Sequence, residues 1–153
     1  MKNIIFVCHG SICRSPAAAF IAKQYLKEQG RDREFNILIR ATSSEEIGND
    51  VYPPMKRELY RRGITLYPHA ASRIRQSDYE NADYIFCMDD ENYYSLLRQL
   101  DNRKNIIYRI HKFTPGISEI EDPWYTGRYE KVCDEITDCI HDIFKNIKLL
   151  RTA

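Results

Sequence analysis

Ile4-Ile5-Phe6-Val7-Cys8-His9-Gly10-Ser11-Ile12-Cys13-Arg14-Ser15-Pro16 is the stretch from which the fold follows. Its first four residues form an unbroken apolar run of β-branched and aromatic side chains, the pattern of a strand covered on both faces. Just beyond it, Ala18, Ile21, Ala22, Tyr25 and Leu26 recur at helical offsets, and Gly30 closes the pattern. Strand, short loop and helix therefore follow one another directly. Working outward, Phe35 to Ala41, Tyr84 to Met88 and Ile106 to Ile110 read as further strands. Helices are expected from Pro54 to near Gly63 and from about Asp90 to Leu100, and a last one carries Ile136, Ile140, Ile143, Phe144 and Ile147 on one stripe. Alternating strands and helices predict an α/β fold, a parallel sheet with helices on both faces, whose ligands bind beyond the carboxyl ends of the strands.

The chain has 153 residues, 43% hydrophobic and 29% charged, with neither repeats nor low-complexity tracts, so we expect one domain over residues 1–153. Twenty-three Lys and Arg against 22 Asp and Glu leave a net charge of +1. That balance gives no electrostatic case for a nucleic-acid or membrane-surface partner. No apolar run approaches the ~20 residues that span a bilayer, and Met1-Lys2-Asn3 with four apolar residues is too short for a secretory signal, so a cytoplasmic location is expected. Five cysteines without paired spacing fit a reducing compartment.

The loop from Cys8 to Pro16 has the makings of an anion site. Gly10 permits backbone conformations closed to other residues, Ser15 is a good N-cap, and Pro16 suits a first helical turn. Successive amides of such a loop converge on one point, where the helix dipole adds about half a positive charge. A phosphate fits that concavity. The same field favours a Cys8 thiolate, Arg14 offers a planar fork for two phosphate oxygens, and Ser15 is placed to donate to the sulfur. Two other readings compete: Cys8 as a small buried hydrophobe with Arg14 on the surface, or a metal site from Cys8, His9 and Cys13, for which no fourth ligand is evident.

A phosphate ester needs its leaving oxygen protonated as the bond breaks. The best candidate acid is Asp122, in Glu119-Ile120-Glu121-Asp122-Pro123-Trp124-Tyr125. Pro123 keeps Asp122 out of helical geometry, and Trp124 and Tyr125 offer walls for an aryl ring. The competing reading is an Asp-Pro turn that caps the last helix beside a half-buried Trp.

Cys8 to Pro16 and Asp122-Pro123-Trp124-Tyr125, with Asp83-Tyr84-Ile85-Phe86-Cys87-Met88-Asp89 between them, resemble the low-molecular-weight protein tyrosine phosphatases over essentially the whole chain. The resemblance implies a three-layer sandwich, a central four-stranded parallel sheet flanked by helices on both faces, with a phosphate-binding loop between strand 1 and helix 1. It implies no metal and no cofactor. Cys8 would be the nucleophile of a phosphocysteine intermediate, Arg14 would bind the phosphate, and Asp122 would act as general acid and then base. His9, Gly10, Ser11, Ile12, Cys13 and Ser15 would line the phosphate site, with Trp124 and Tyr125 beside the phosphotyrosine ring. The implied partners are phosphotyrosine proteins or peptides, with phosphate, vanadate or sulfate as loop ligands, and the chain would be a monomer or weak dimer.

Several residues depart from the family pattern. Ser11 stands where an Asn usually braces the loop, Ile39 falls at the position of a partner serine, and His69 looks like the retained histidine. A differently braced, more mobile loop is expected. His9 is expected at the rim, and Glu45 and Glu46 lie on the loop that forms another cleft wall, where acid favours peptides with basic residues beside the phosphotyrosine. Cys13, five residues from Cys8, has the spacing for a reversible disulfide with it, or it simply packs. Three related functions remain as alternatives. An arsenate reductase needs two further cysteines near the fourth strand, where only Cys87 lies; a phosphoarginine phosphatase has Thr where this chain has Ile12; a non-catalytic phosphopeptide binder would dispense with Cys8 or Asp122.

Overall fold

The computed structural model describes residues 1–150. Four strands, β1 (Lys2–Cys8), β2 (Phe35–Ala41), β3 (Tyr84–Cys87) and β4 (Ile107–Arg109), pair in the order β2-β1-β3-β4, all parallel. Six helices connect and cover them: α1 (Arg14–Glu28), α2 (Pro53–Arg61), α3 (Gln76–Asn81), α4 (Asp90–Gln99), α5 (Pro123–Thr126) and α6 (Tyr129–Asn146). A 3-10 turn, Ile147–Leu149, follows α6. The expected three-layer α/β sandwich is thus observed, with the phosphate loop between β1 and α1.

Alternation along β1 divides the core. Ile4, Phe6 and Cys8 face a cluster built with α1, α2 and α6, while Ile5 and Val7 face a smaller one with Tyr79, Leu96 and Leu100 from the α3 and α4 side. Residues Ile4 to Val7 are all fully buried, as their unbroken apolar run demands. The helical stripe on α1 is wider than its periodicity predicts. Ala17, Ala19 and Phe20 are buried along with Ala18, Ile21 and Ala22, because small residues let this half of the helix pack against both the sheet and α6.

Two short helices, α3 and α5, were not legible in the periodicity; six and four residues are too few to show it. The helix start also differs from expectation. Helix α1 begins at Arg14 with Cys13 in the capping position and no side-chain cap, so Ser15 is not the N-cap. Its hydroxyl turns inward to Cys8 instead. No helix among the described residues is long and apolar enough to cross a membrane.

The strand order reverses between β1 and β3, which places the ligand crevice of this architecture beyond their carboxyl ends. Cys8 ends β1 and Asp89 follows β3, so the loops carrying these two residues meet there.

Candidate active site

At that crevice the chain from Cys8 to Arg14 curls into a pocket whose floor is Cys8, Gly10, Ser11, Ile12, Cys13 and Arg14. Ser11 makes the tightest bend, with φ of 62°, a left-handed conformation that costs an ordinary L residue ~1–2 kcal/mol. Gly10 was expected to take such a conformation and does not. A side chain there would instead crowd Glu46, whose Cγ lies 3.2 Å from the position of a Cβ. Three contacts hold Ser11 in its bend. The His69 Nε2–H donates to its carbonyl at 2.7 Å, the Ser15 hydroxyl donates to its Oγ at 3.1 Å, and the neighbouring Ile12 carbonyl accepts from the Tyr52 amide at 2.9 Å. Ile39, by contrast, packs its apolar side chain against the larger core cluster and contributes no polar bracing.

Cys8 Sγ accepts from the Ser15 amide at 3.4 Å, at the N-terminus of α1, and lies 3.2 Å from Ser15 Oγ. Arg14 is 2% exposed, which removes the surface-charge reading. Its Nη1 donates to Asp89 Oδ2 at 2.6 Å and to the Ile120 carbonyl at 2.8 Å, and its Nη2 lies 3.6 Å from Asp122 Oδ2. Burial opposes the Arg14 charge, yet Cys8 and Asp89 outweigh burial and raise its pKa above the ordinary value. The guanidinium is therefore a fixed cation aimed by three partners.

Asp122, 114 residues after Cys8 in sequence, reaches the same pocket. It caps the short helix α5, its Oδ1 accepting from the Trp124 amide at 3.1 Å. The capping alternative is thus half right: the Asp-Pro turn caps α5 rather than the last helix, and the second carboxylate oxygen still faces Arg14. Trp124 and Tyr125 both line the pocket, 49% and 83% exposed, and Trp124 packs on Tyr52 with ring centroids 4.6 Å apart. Glu45 and Glu46 line the pocket as well, and His9 Nε2 meets Glu45 Oε2 at 3.0 Å.

Two contributors were missed in the sequence. Asp89 is the partner that fixes Arg14, and its other oxygen accepts from the Asn92 amide as the N-cap of α4. The signal was an Asp at the end of a strand and the head of a helix, the same signature that drew attention to the first loop. Tyr52, which backs Trp124, gave no such signal. Cys13 is buried beside Cys8, and burial, followed by the nearby Cys8 and Asp122, pushes its thiol pKa far upward. Among the described residues, no cluster of three or more His, Cys, Asp or Glu side chains is placed to hold a metal.

Comparison with known proteins is consistent along the whole chain. A family model described as low molecular weight phosphotyrosine protein phosphatase matches residues 3–151. The chain is 33% identical over 144 residues to the low molecular weight protein-tyrosine-phosphatase YfkJ of Bacillus subtilis, an alignment covering 91% of this chain and 92% of the relative. It is equally 33% identical over 147 residues to the low molecular weight phosphotyrosine protein phosphatase of Homo sapiens, covering 90% of each. The crystal structure of YfkJ superposes with a TM-score of 0.92 at 28% identity, covering 97% of this chain and 95% of that one.

Proposed function

The chain belongs to the low molecular weight phosphotyrosine protein phosphatases, a hydrolase family, and from that premise we propose that it hydrolyses phosphotyrosine monoesters on proteins through a phosphocysteine intermediate. The observation that carries the proposal is the meeting of Cys8 Sγ, the buried Arg14 guanidinium and Asp122 in one pocket.

The phosphate sits on the loop amides with two of its oxygens on the Arg14 fork, and Cys8 Sγ attacks phosphorus opposite the tyrosyl oxygen. As that bond breaks, protonated Asp122 gives its proton to the leaving phenolate, and the S–P bond holds the phosphoryl group. Water, deprotonated by the now ionised Asp122, then attacks phosphorus. Phosphate leaves and the Cys8 thiolate is regenerated. Ser15 has a single hydroxyl proton, which in the resting structure points to Ser11. When the thiolate departs from phosphorus, that proton is available to the sulfur at 3.2 Å, and the Ser11 hydroxyl in turn donates to Ser15. Ser11 thereby serves the loop as a hydroxyl relay.

Two structural features support an aryl ester over the related chemistries. Ile12 presents an apolar branch in the pocket, with no hydroxyl to orient a water for attack on a phosphoarginine. Cys87, the cysteine an arsenate-reducing relay would call on, lies in the cluster on the other face of the sheet from Cys8.

Hydrolysis of phosphotyrosine, phosphoserine and phosphoarginine peptides, measured side by side with and without vanadate, tests the reading. Phosphotyrosine alone should turn over, vanadate should inhibit and EDTA should not; turnover of phosphoarginine at a comparable rate would replace it with the arginine phosphatase. Cys8→Ser should abolish turnover and keep oxyanion binding. Asp122→Asn should slow poor leaving groups by roughly 10² to 10⁴ while costing activated aryl phosphates much less.

A further inference from the structure

Beyond the bond broken, the mouth of the pocket carries a charge pattern that selects among phosphotyrosine sequences. Glu45, Glu46 and Asp122 all line that pocket. The one Arg or Lys lining the pocket is Arg14, which is buried and committed to Asp89 and the phosphate. Three cations in this part of the chain are paired: Arg128 and Lys131 hold Glu121, and Lys56 holds Asp50. Arg73, which donates to Ser44, does not line the pocket.

The acidic rim is also tied to the loop it overhangs. The Ser43 amide and hydroxyl both donate to the His9 carbonyl, at 3.1 and 3.0 Å, and the Thr42 amide donates to the Cys8 carbonyl at 3.0 Å. Asn49 donates to Glu46 at 2.6 Å, and His9 holds Glu45 at 3.0 Å. Glu45 is nevertheless 69% exposed at its side chain, so it faces whatever flanks the phosphotyrosine. Two oriented carboxylates in a pocket lined by no Lys or Arg except the buried Arg14 are complementary to Lys or Arg and repel Asp or Glu.

We infer that Glu45, positioned by His9 and seconded by Glu46, makes this enzyme selective for phosphotyrosines flanked by lysine or arginine. The inference rests on the phosphotyrosine reading above and names its substrate class. His9 is a positioning residue in this scheme, since it acts on the substrate through Glu45.

The test compares kcat/KM on matched phosphotyrosine peptides whose flanking residues are Lys in one and Glu in the other. Wild-type protein should favour the Lys peptide about tenfold at low salt, from two partly screened ion pairs, with the ratio shrinking toward one near ~0.5 M salt. Glu45→Gln should reduce the ratio about threefold, and Glu45→Lys combined with Glu46→Lys should invert it. His9→Ala should lower the ratio, and His9→Gln, whose amide still donates to Glu45, should restore it. Because each variant is its own reference, a general loss of activity cancels. Equal rates on the two peptides in the wild type, or a ratio untouched by charge reversal, would overturn the inference while leaving the phosphatase standing. Failure on every phosphotyrosine peptide would instead strike the phosphatase reading, and this inference with it.

Discussion

A buried guanidinium is the residue on which the pocket turns. Removing one partner of a buried ion pair strands the other charge, at a cost of ~3–5 kcal/mol. Asp89 is that partner for Arg14, at 2.6 Å, and it also caps α4. Asp89→Ala is therefore expected to lower stability by about 3–4 kcal/mol in chemical denaturation and to weaken phosphate binding; Asp89→Asn, which keeps the cap, should cost less. A loss under about 1 kcal/mol for Asp89→Ala would mean that Ile120 and Asp122 hold Arg14 by themselves. Burial also governs the thiols away from the pocket. Burial, the largest influence on each, pushes Cys87, Cys133 and Cys139 up to about 12, so none ionises appreciably near neutral pH. Of the five cysteines, a charged alkylating agent at neutral pH should label Cys8 alone in the native protein, phosphate should protect it, and denaturant should release all five. Intact-protein mass before and after denaturation reads this directly.

At the scale of elements, the site depends on the loop between β4 and α6 staying closed over the phosphate loop. The Ile120 amide donates to the Met88 carbonyl at 2.9 Å, which ties that loop to the end of β3. Glu121 then staples it to the region where α6 begins, accepting from Arg128 at 2.7 Å and Lys131 at 2.7 Å. Those two donors, Arg128 foremost, depress the Glu121 carboxyl to about 2. A carboxylate depressed by folding stabilises the folded chain at pH above its unfolded value, near ~4.3, and that contribution drains away as pH falls toward about 2. Its donors are exposed and screened, so the contribution is about 1 kcal/mol at neutral pH rather than the full electrostatic value. Glu121→Gln should lower the melting temperature by about 2–4 °C at pH 7, with the difference closing between pH ~4.3 and ~2. A difference that persists at pH 2 would point to packing and not charge as its origin.

For the whole molecule, one rule of topology gathers residues that the chain keeps far apart. Reversal of strand order between β1 and β3 brings the loops after both strands to one crevice, so Cys8, Arg14 and Asp89 meet there, and the segment after β4 adds Asp122, Trp124 and Tyr125. The apolar runs and helical stripes by themselves determined four parallel strands, the long helices and the loop that leaves β1, because burial on one face or two leaves a periodic mark in the chain. Cys8, Arg14 and Asp122 were legible for a related reason, since Cys8 stands at a strand end, Arg14 at the head of the helix that follows, and Asp122 beside a proline. Tertiary structure decided what has no periodicity. It assigned the left-handed bend to Ser11 rather than Gly10, turned Ser15 from a helix cap into a contact of Cys8, recruited Asp89 and Tyr52, and set Cys87 on the opposite face of the sheet from Cys8. Each of these depends on which side chain finds a partner once the chain is folded: for Asp89, Tyr52 and the Ser11 bend that partner lies tens of residues away, and for Ser15 it lies across the curl of the loop, so neither leaves a periodic pattern.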